Sequence, residues 1–301
     1  MAVIRLAAAL IGLSIIWGMS FMFIKVLLED LSPWQIVLYR SLFGLAALAV
    51  IYFVKKIKIS WKEQPYGLLL FVGIMNAGIP WGLIALSERF LPSSLAAILN
   101  ATTPLWATVI GVLAFGSKLR VIQWSGIIIG FCGIVALSGF DGSGAGNKEV
   151  IYGVILMLCG TFCYGFSSHF AKRHLQDAGV WVISMSTLFA SMLTGFAGSL
   201  LTGGVFVHLN GTSIISLIGL GSFGGGIAYL LYYYLIQKGS AELATLVTYL
   251  VPVTAVAWGA ALLGEKVTLH MAAGLFLILA GIYLSTRKKR EVRQKNNKLT
   301  A

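Results

Sequence analysis

Charged side chains are scarce in this sequence. They make up 11% of its 301 residues, against about 25% in an ordinary soluble domain. Only ten residues are acidic, and all fall in expected loops or at helix ends, so no carboxylate in mid-span marks itself as a proton carrier. Cysteine is nearly absent. Cys132, Cys159 and Cys163 all fall inside apolar runs, which excludes a disulfide framework. No histidine or carboxylate lies within a turn of Cys159 and Cys163, so they read as small buried apolar residues and no metal is expected. No glycine run ends in Gly-Lys-Ser/Thr, which argues against direct ATP drive. The cluster Gly221–Gly226 lies in an apolar span, away from any strand-to-helix turn, and suits close helix approach. No cofactor is expected. A membrane enzyme acting on lipid would need a clustered His/Asp/Glu or Ser/His set at one interface, and none is found.

Apolar residues fill the space that charge leaves. The chain is 58% hydrophobic with a mean hydropathy of +0.90, and its apolar material comes in runs of about 20 residues, the length of a membrane-crossing helix. Ten such runs are read, at about 7–28, 34–54, 66–86, 93–114, 122–139, 151–171, 180–201, 213–236, 242–263 and 269–286. The breaks between them hold Pro33, Pro65 and Pro92, the charges, and clusters of Gly, Ser and Asn. The expectation is an all-α membrane protein of ten transmembrane helices, with the bilayer as its surroundings. The first run is too long for a signal peptide, and no small-residue cleavage site follows it.

The net charge of +12 invites a nucleic-acid reading, but its distribution argues for topology. With the amino terminus in the cytoplasm, 17 of the 22 basic residues fall on that side: Arg5, Lys55, Lys56, Lys58, Lys62, Lys118, Arg120, Lys172, Arg173, Lys238 and the tail. This is the positive-inside pattern of a cell-membrane protein with both termini cytoplasmic. The tail Arg287-Lys288-Lys289-Arg290 can touch anionic lipid. No nucleic-acid partner is expected.

The chain is also one unit written twice. Leu95, Ala96, Pro104, Gly111, Gly116, Lys118, Gly126, Gly133 and Ile134 recur 148 residues on as Leu243, Ala244, Pro252, Gly259, Gly264, Lys266, Gly274, Gly281 and Ile282. A looser match at 147 relates Gly18, Phe23, Lys25, Leu28, Asp30 and Trp34 to Gly165, Phe170, Lys172, Leu175, Asp177 and Trp181. Residues 1–139 form the first repeat and 151–286 the second. A Gly-rich extracytoplasmic linker (140–150) joins them, and a basic cytoplasmic tail (287–301) follows. Five helices per repeat is an odd number, so the second repeat enters the membrane inverted. Inverted repeats with a site near the midplane are a recurring plan of secondary transporters.

Within the spans, three prolines stand out. Each removes an N–H and leaves the carbonyl four residues earlier without its helical donor. Pro80, Pro104 and Pro252 free the carbonyls of Asn76, Asn100 and Thr248, all polar and near mid-span. Such backbone is tolerated beside a watery cavity or where side chains satisfy it, so these residues are expected to mark a cavity wall, with packing kinks as the alternative. Trp17, Trp81, Tyr164, Tyr229 and Tyr249 lie at intermediate depth and can shape a site. Tyr232 and Tyr233 stay undecided, and Trp34, Trp61, Trp124 and Trp181 suit interface belts. Arg40 lies about 9 Å into its span at 1.5 Å per residue, and its repeat partner is Thr187, so the fold does not demand a charge there. It either meets a substrate carboxylate or pairs with Glu29, Asp30 or Glu88. Lys25 and Lys172 read as snorkelling anchors. His169 is weighed as a proton relay against a packing role.

Several of these residues carry a family resemblance. Trp17-Gly18-Met19-Ser20-Phe21 with Lys25, Arg40, Pro104, Pro252, and Leu263-Gly264-Glu265-Lys266 followed by Gly274 and Gly281 resemble the EamA family of the drug/metabolite transporter superfamily. The resemblance covers nearly the whole chain and implies a carrier of small molecules. Two departures stand: Ser117 replaces the partner of Glu265, and Tyr164-Gly165 replaces a Trp-Gly pair. The expected function is a secondary transporter, not an enzyme, exporting amino acids or related metabolites by alternating access. A multidrug or quaternary-amine exporter is the alternative, with a channel behind it. A homodimer is left open.

Overall fold

The computed structural model describes residues 2–57, 64–114, 116, 119–137, 148–176, 178–238, 243 and 246–286. The linker at 138–147, Lys58, Trp61, Lys62, Ser117, Lys118, Asp177, Ala244 and the basic tail lie outside the described residues, as does the Tyr233 side chain. Among the described residues ten apolar helices follow one another and no strand occurs: α1 (Ala2–Leu27), α2 (Pro33–Val54), α3 (Tyr66–Ser87), α4 (Ser93–Leu113), α5 (Val121–Leu137), α6 (Lys148–His174), α7 (Val180–Thr202), α8 (running from Gly211–Leu217 to Ala228–Lys238), α9 (Val247–Leu263) and α10 (Leu269–Thr286). Eight are long enough to cross a membrane by themselves, while α5 and α9 are shorter apolar helices.

Local chemistry sets the ends. Ser32 and Gln35 form a capping box before α2, with Pro33 in the first turn; the two side chains satisfy backbone donors that an open helix end would expose. Asn210 caps α8 by accepting the Ser213 N–H at 2.8 Å. Gly264, at φ 65°, ends α9 in the left-handed region that glycine enters without a Cβ clash. The Glu265 N–H then folds back onto the Gly259 carbonyl at 3.0 Å, which aims the Glu265 side chain across the bundle.

Three helices change their winding in the middle. α3 passes through a wide π-helical turn at Ile74–Gly78, just before Pro80; the Ile79 N–H bonds to the Ile74 carbonyl, five residues back, and the proline is absorbed without a broken span. α8 has the same feature over Ile218–Ile227, which contains the glycine cluster. α4 is broken outright: it stops at Asn100, turns at Ala101 and Thr102, and restarts with Pro104 in its first turn. The freed Asn100 carbonyl is taken up by the Thr103 hydroxyl at 2.9 Å. Pro252 instead lies within a continuous α9.

Packing brings α5 against α10, α2 against α7 and α8, α1 against α8 and α9, and α6 against α3 and α4. The α5–α10 contact is backbone to backbone. A Cβ at Gly281 would come within 2.6 Å of the Gly126 carbonyl oxygen, and one at Gly133 within 2.9 Å of the Ile278 nitrogen. Small residues permit that approach, which lipid cannot drive by a hydrophobic effect. Gly221 does the same against the Arg40 carbonyl of α2.

Some expectations fail here. Cys132 and Cys159 are exposed on the outer surface of the bundle, not buried, because their spans turn those faces away from the core. Trp34 is no interface anchor: its ring lies over Gly82 of α3 and Gly198 of α7, which lack the side chains that would exclude it. Lys25 does not snorkel. Its Nζ donates to the carbonyls of Glu88 at 2.5 Å and Leu91 at 3.0 Å, tying α1 to the α3–α4 turn.

Candidate functional site

The helices that are kinked or broken converge on one cavity of about 390 Å³. Its wall comes from α1, α2, α3, α4, α6, α8 and α9, while α5, α7 and α10 contribute nothing to it. It brings together Trp17, Arg40, Asn76, Trp81, Asn100, Tyr164, Tyr229, Thr248 and Pro252, residues scattered over 236 positions of sequence. Tyr249, Pro80 and Pro104 are not in its lining; Tyr249 packs against the core instead, and the two prolines act through the backbone they bend. His169 is also outside the lining. Its Nε2–H donates to the Ala107 carbonyl of α4 at 2.8 Å, a contact that holds helices together.

Arg40 is the charged centre of this wall. It is 7% exposed, and its guanidinium stands 3.7 Å from the centroid of the Trp81 ring. Among the described residues its Nε has no hydrogen-bond partner, and no Asp or Glu pairs with it, Glu29, Asp30 and Glu88 included. Isolating a guanidinium at this depth costs up to about 3 kcal/mol, and the face of Trp81 returns about 0.5–2 kcal/mol of that. Tyr164 and Tyr229 sit within electrostatic reach. Asn100 faces the same space, and its Oδ1 is a buried acceptor without a protein donor. The cavity wall therefore holds a cation without an acidic partner and an amide oxygen without a donor among the described residues.

An aromatic cluster closes one side. Trp17 packs on Tyr232 at 5.7 Å and edge-on to Tyr229 at 6.4 Å, and its indole N–H donates to the Gly224 carbonyl at 3.2 Å. That carbonyl belongs to the π-helical segment of α8. Sequence reasoning left Tyr232 open and missed Ser20, Ile84 and Ser168. A signal existed for two of them: Ile84 and Tyr232 stand 148 positions apart, as do Trp81 and Tyr229.

The two ends of the bundle differ. At the end away from the start of α1 and the stop of α10, polar cross-links bind the helices. Glu265 accepts the N–H groups of Ser93 at 2.7 Å and Ser94 at 2.9 Å, and the Ser94 hydroxyl donates to it as well. A carboxylate on a helix N-terminus meets unpaired donors and the positive end of the dipole. Burial pushes the Glu265 carboxyl up, but the hydrogen bonds from Ser94 and Ser93 prevail and hold it below the usual carboxylate range. Asp30 accepts from Asn210 at 2.7 Å and Ser213 at 2.6 Å, and Gln35 donates to the Gly204 carbonyl at 3.0 Å. The opposite, terminal half of the cavity is lined by Ser168, Tyr232, Val247 and Thr248.

Comparison with known proteins is consistent along the chain. The model of the EamA-like transporter family matches residues 5–139 and again 151–287. An uncharacterized inner membrane transporter, YedA of Escherichia coli strain K12, is 30% identical over 286 residues, covering 94% of this chain and 91% of that protein. An uncharacterized transporter of Archaeoglobus fulgidus is 28% identical over 276 residues, covering 91% and 95%. A probable amino-acid metabolite efflux pump of Salmonella typhimurium is 26% identical over 281 residues, covering 90% and 91%. A protein crystal structure superposes with a TM-score of 0.66 at 18% identity, covering 96% of this chain and 99% of that one, a likeness of fold.

Proposed function

The chain belongs to the EamA-like transporter family, and from that premise we propose that it is a secondary carrier of amino acids or closely related zwitterionic metabolites, working as an exporter by alternating access. The observation that carries the substrate class is Arg40: a buried guanidinium with no acidic partner among the described residues, in the wall of a cavity that Asn100, whose Oδ1 lacks a donor there, also lines. A carboxylate can take the first and an ammonium the second. The same guanidinium repels quaternary amines, and no Asp or Glu appears among the described lining residues to hold one. This disfavours the drug or organic-cation alternative. A cavity of this size falls in the range of small-molecule sites.

Support for an inverted repeat comes from pairing. Exchanging each of α1–α5 with the helix five places later maps the contact α1–α9 onto α6–α4 and α2–α8 onto α7–α3, and returns α5–α10 and α2–α7 to themselves. The cavity wall repeats at the same offsets, Asn76 with Gly224 and Asn100 with Thr248 being 148 apart and Trp17 with Tyr164 being 147 apart. A site on such an axis is shared by two halves that can rock about it. In this reading the terminal end, flanked by Lys55, Lys56, Arg120, Lys172 and Arg173, is cytoplasmic. The cross-linked end is then the closed extracytoplasmic gate. The export assignment draws on the name of the Salmonella relative.

The test is ligand-dependent thermal stabilisation of the purified protein across amino acids, amines and nucleobases, followed by counterflow in liposomes. A cognate ligand at 100 times its Kd adds about 2.7 kcal/mol. Stabilisation by amino acids supports the reading; stabilisation confined to organic cations refutes it.

A further inference from the structure

Glu88 is the one acidic side chain among the described residues that is fully buried, at 0% exposure. It follows Ser87 at the end of α3, one turn beyond Ile84 of the cavity wall. Neither of its carboxyl oxygens has a hydrogen-bond partner among the described residues. Lys25 comes close, yet its ammonium is directed to the backbone carbonyls of Glu88 and Leu91. The charges that act on the Glu88 carboxyl are Lys25 from α1, Arg40 from α2 and Glu265 from the α9–α10 connection. α6 brings the Tyr152 ring to the neighbouring Phe90, and α7 carries no charged residue over Val180–Thr202. A bare carboxylate in such a place would lose its hydration with nothing in return.

We infer that Glu88 is a proton-binding site of the transport cycle, holding a proton while the Glu265 end is closed and releasing it to water when that end opens. The geometry makes the two events one. Glu265 is held as an anion at Ser93 and Ser94, at the start of α4 and just past the turn that follows Glu88, and a second negative charge at Glu88 would lie within its electrostatic reach. Ionising Glu88 therefore strains the closed gate, and opening the gate relieves the strain by hydrating both groups. Burial, and then Glu265, push the Glu88 carboxyl well above the usual carboxylate range against the pull of Lys25 and Arg40. The sign follows: the proton is bound more tightly in the closed form, so acid favours closure. As pH rises from about 4.3, where a hydrated Glu titrates, the closed form loses ground by up to tenfold per pH unit for a single proton. A second linkage follows from Arg40. A substrate carboxylate on Arg40 cancels a charge that favours ionised Glu88, so substrate and proton help each other to bind. The part of this inference that concerns opening rests on the alternating-access reading; the proton on Glu88 in the closed form does not.

Two measurements on the full-length protein in lipid nanodiscs test it. Infrared spectra should show a protonated-carboxyl band at neutral pH that is lost in Glu88→Gln; a band that persists in the variant overturns the proposal. Spin labels at Arg89 and Lys266 report the distance across the closed end. In the parent protein the open population should grow with pH, up to tenfold per unit, and in Glu88→Gln it should stay small and independent of pH. An identical pH response in the variant overturns the link between proton and gate. A single distance at every pH and with every amino acid tested overturns alternating access itself, and the infrared band then still decides where the proton sits.

Discussion

Arg40→Gln separates a binding role from a structural one, because the two predict opposite changes in stability. Among the described residues the guanidinium has no ion pair to lose. Removing it relieves up to about 3 kcal/mol of burial cost and gives up about 0.5–2 kcal/mol of attraction to Trp81. The unliganded variant should therefore melt at the parental temperature or slightly above. Binding should behave differently. Truncating one partner of a buried charge pair costs about 2–5 kcal/mol, and each 1.4 kcal/mol is tenfold, so affinity for the cognate amino acid should fall by roughly 30- to 3,000-fold. Arg40→Lys keeps the charge without the planar fork and should fall between. The assay is thermal stabilisation over a ligand titration, with the unliganded melt as baseline. The reasoning is refuted if Arg40→Gln melts well below the parent while its ligand response is unchanged.

Other parts of the site give separate tests. A Cβ at Gly259 would occupy the space of the Ser94 hydroxyl and the Glu265 carboxylate, so Gly259→Ala should open the gate, read as faster labelling of a cysteine placed at Ala97; unchanged labelling would remove Glu265 as a latch. Because the Glu265 carboxyl is held low, its contribution is present above the ordinary carboxylate range and lost as pH falls through its lowered value. Glu265→Gln should therefore destabilise the protein near pH 5, with the difference from the parent shrinking in stronger acid as Glu265 is protonated, and shrinking again at higher pH where an ionised Glu88 repels Glu265 in the parent. Thr103→Val leaves the Asn100 carbonyl without its donor and should cost about 1–3 kcal/mol in a melt, with Thr103→Ser restoring it. Gly281→Ala forces its Cβ into backbone atoms of Gly126 and Gly130 that cannot yield; a loss of about 1–3 kcal/mol is expected, and a neutral result would show that α5 and α10 can separate.

Much of the site was legible because two independent constraints leave marks in a membrane sequence. Backbone in hydrocarbon must be satisfied, so Pro80 with Asn76 and Pro104 with Asn100 announced where α3 and α4 depart from regular winding, whereas α9 runs through Pro252 without a break. Buried charge is expensive, so Arg40 announced itself by being there at all. The roles of Glu88, Lys25 and Ser168 were not legible. Glu88 looks like an ordinary acidic helix end, and only the approach of α1 and the α9–α10 connection makes it a buried one. Lys25 had a plausible snorkelling reading until the α3–α4 turn came within reach of its ammonium. Cys132 and Cys159 misled for the converse reason: a lipid-facing surface is as apolar as a core, so composition does not tell the two apart.

By itself, the sequence determined the all-helical class, the apolar spans and two of the places, at Pro80 and Pro104, where the helices change their winding. These follow from local chemistry: hydropathy over about 20 residues, a missing N–H at proline, a capping side chain three residues from its target. Only the tertiary structure decided that the bent segments meet, that Arg40 has no acidic partner among the described residues, and that Glu265 caps a helix 172 positions away from it at Ser93. Those facts depend on which faces of which helices touch, and contacts between faces are set by packing over the whole bundle, which no local window of sequence contains.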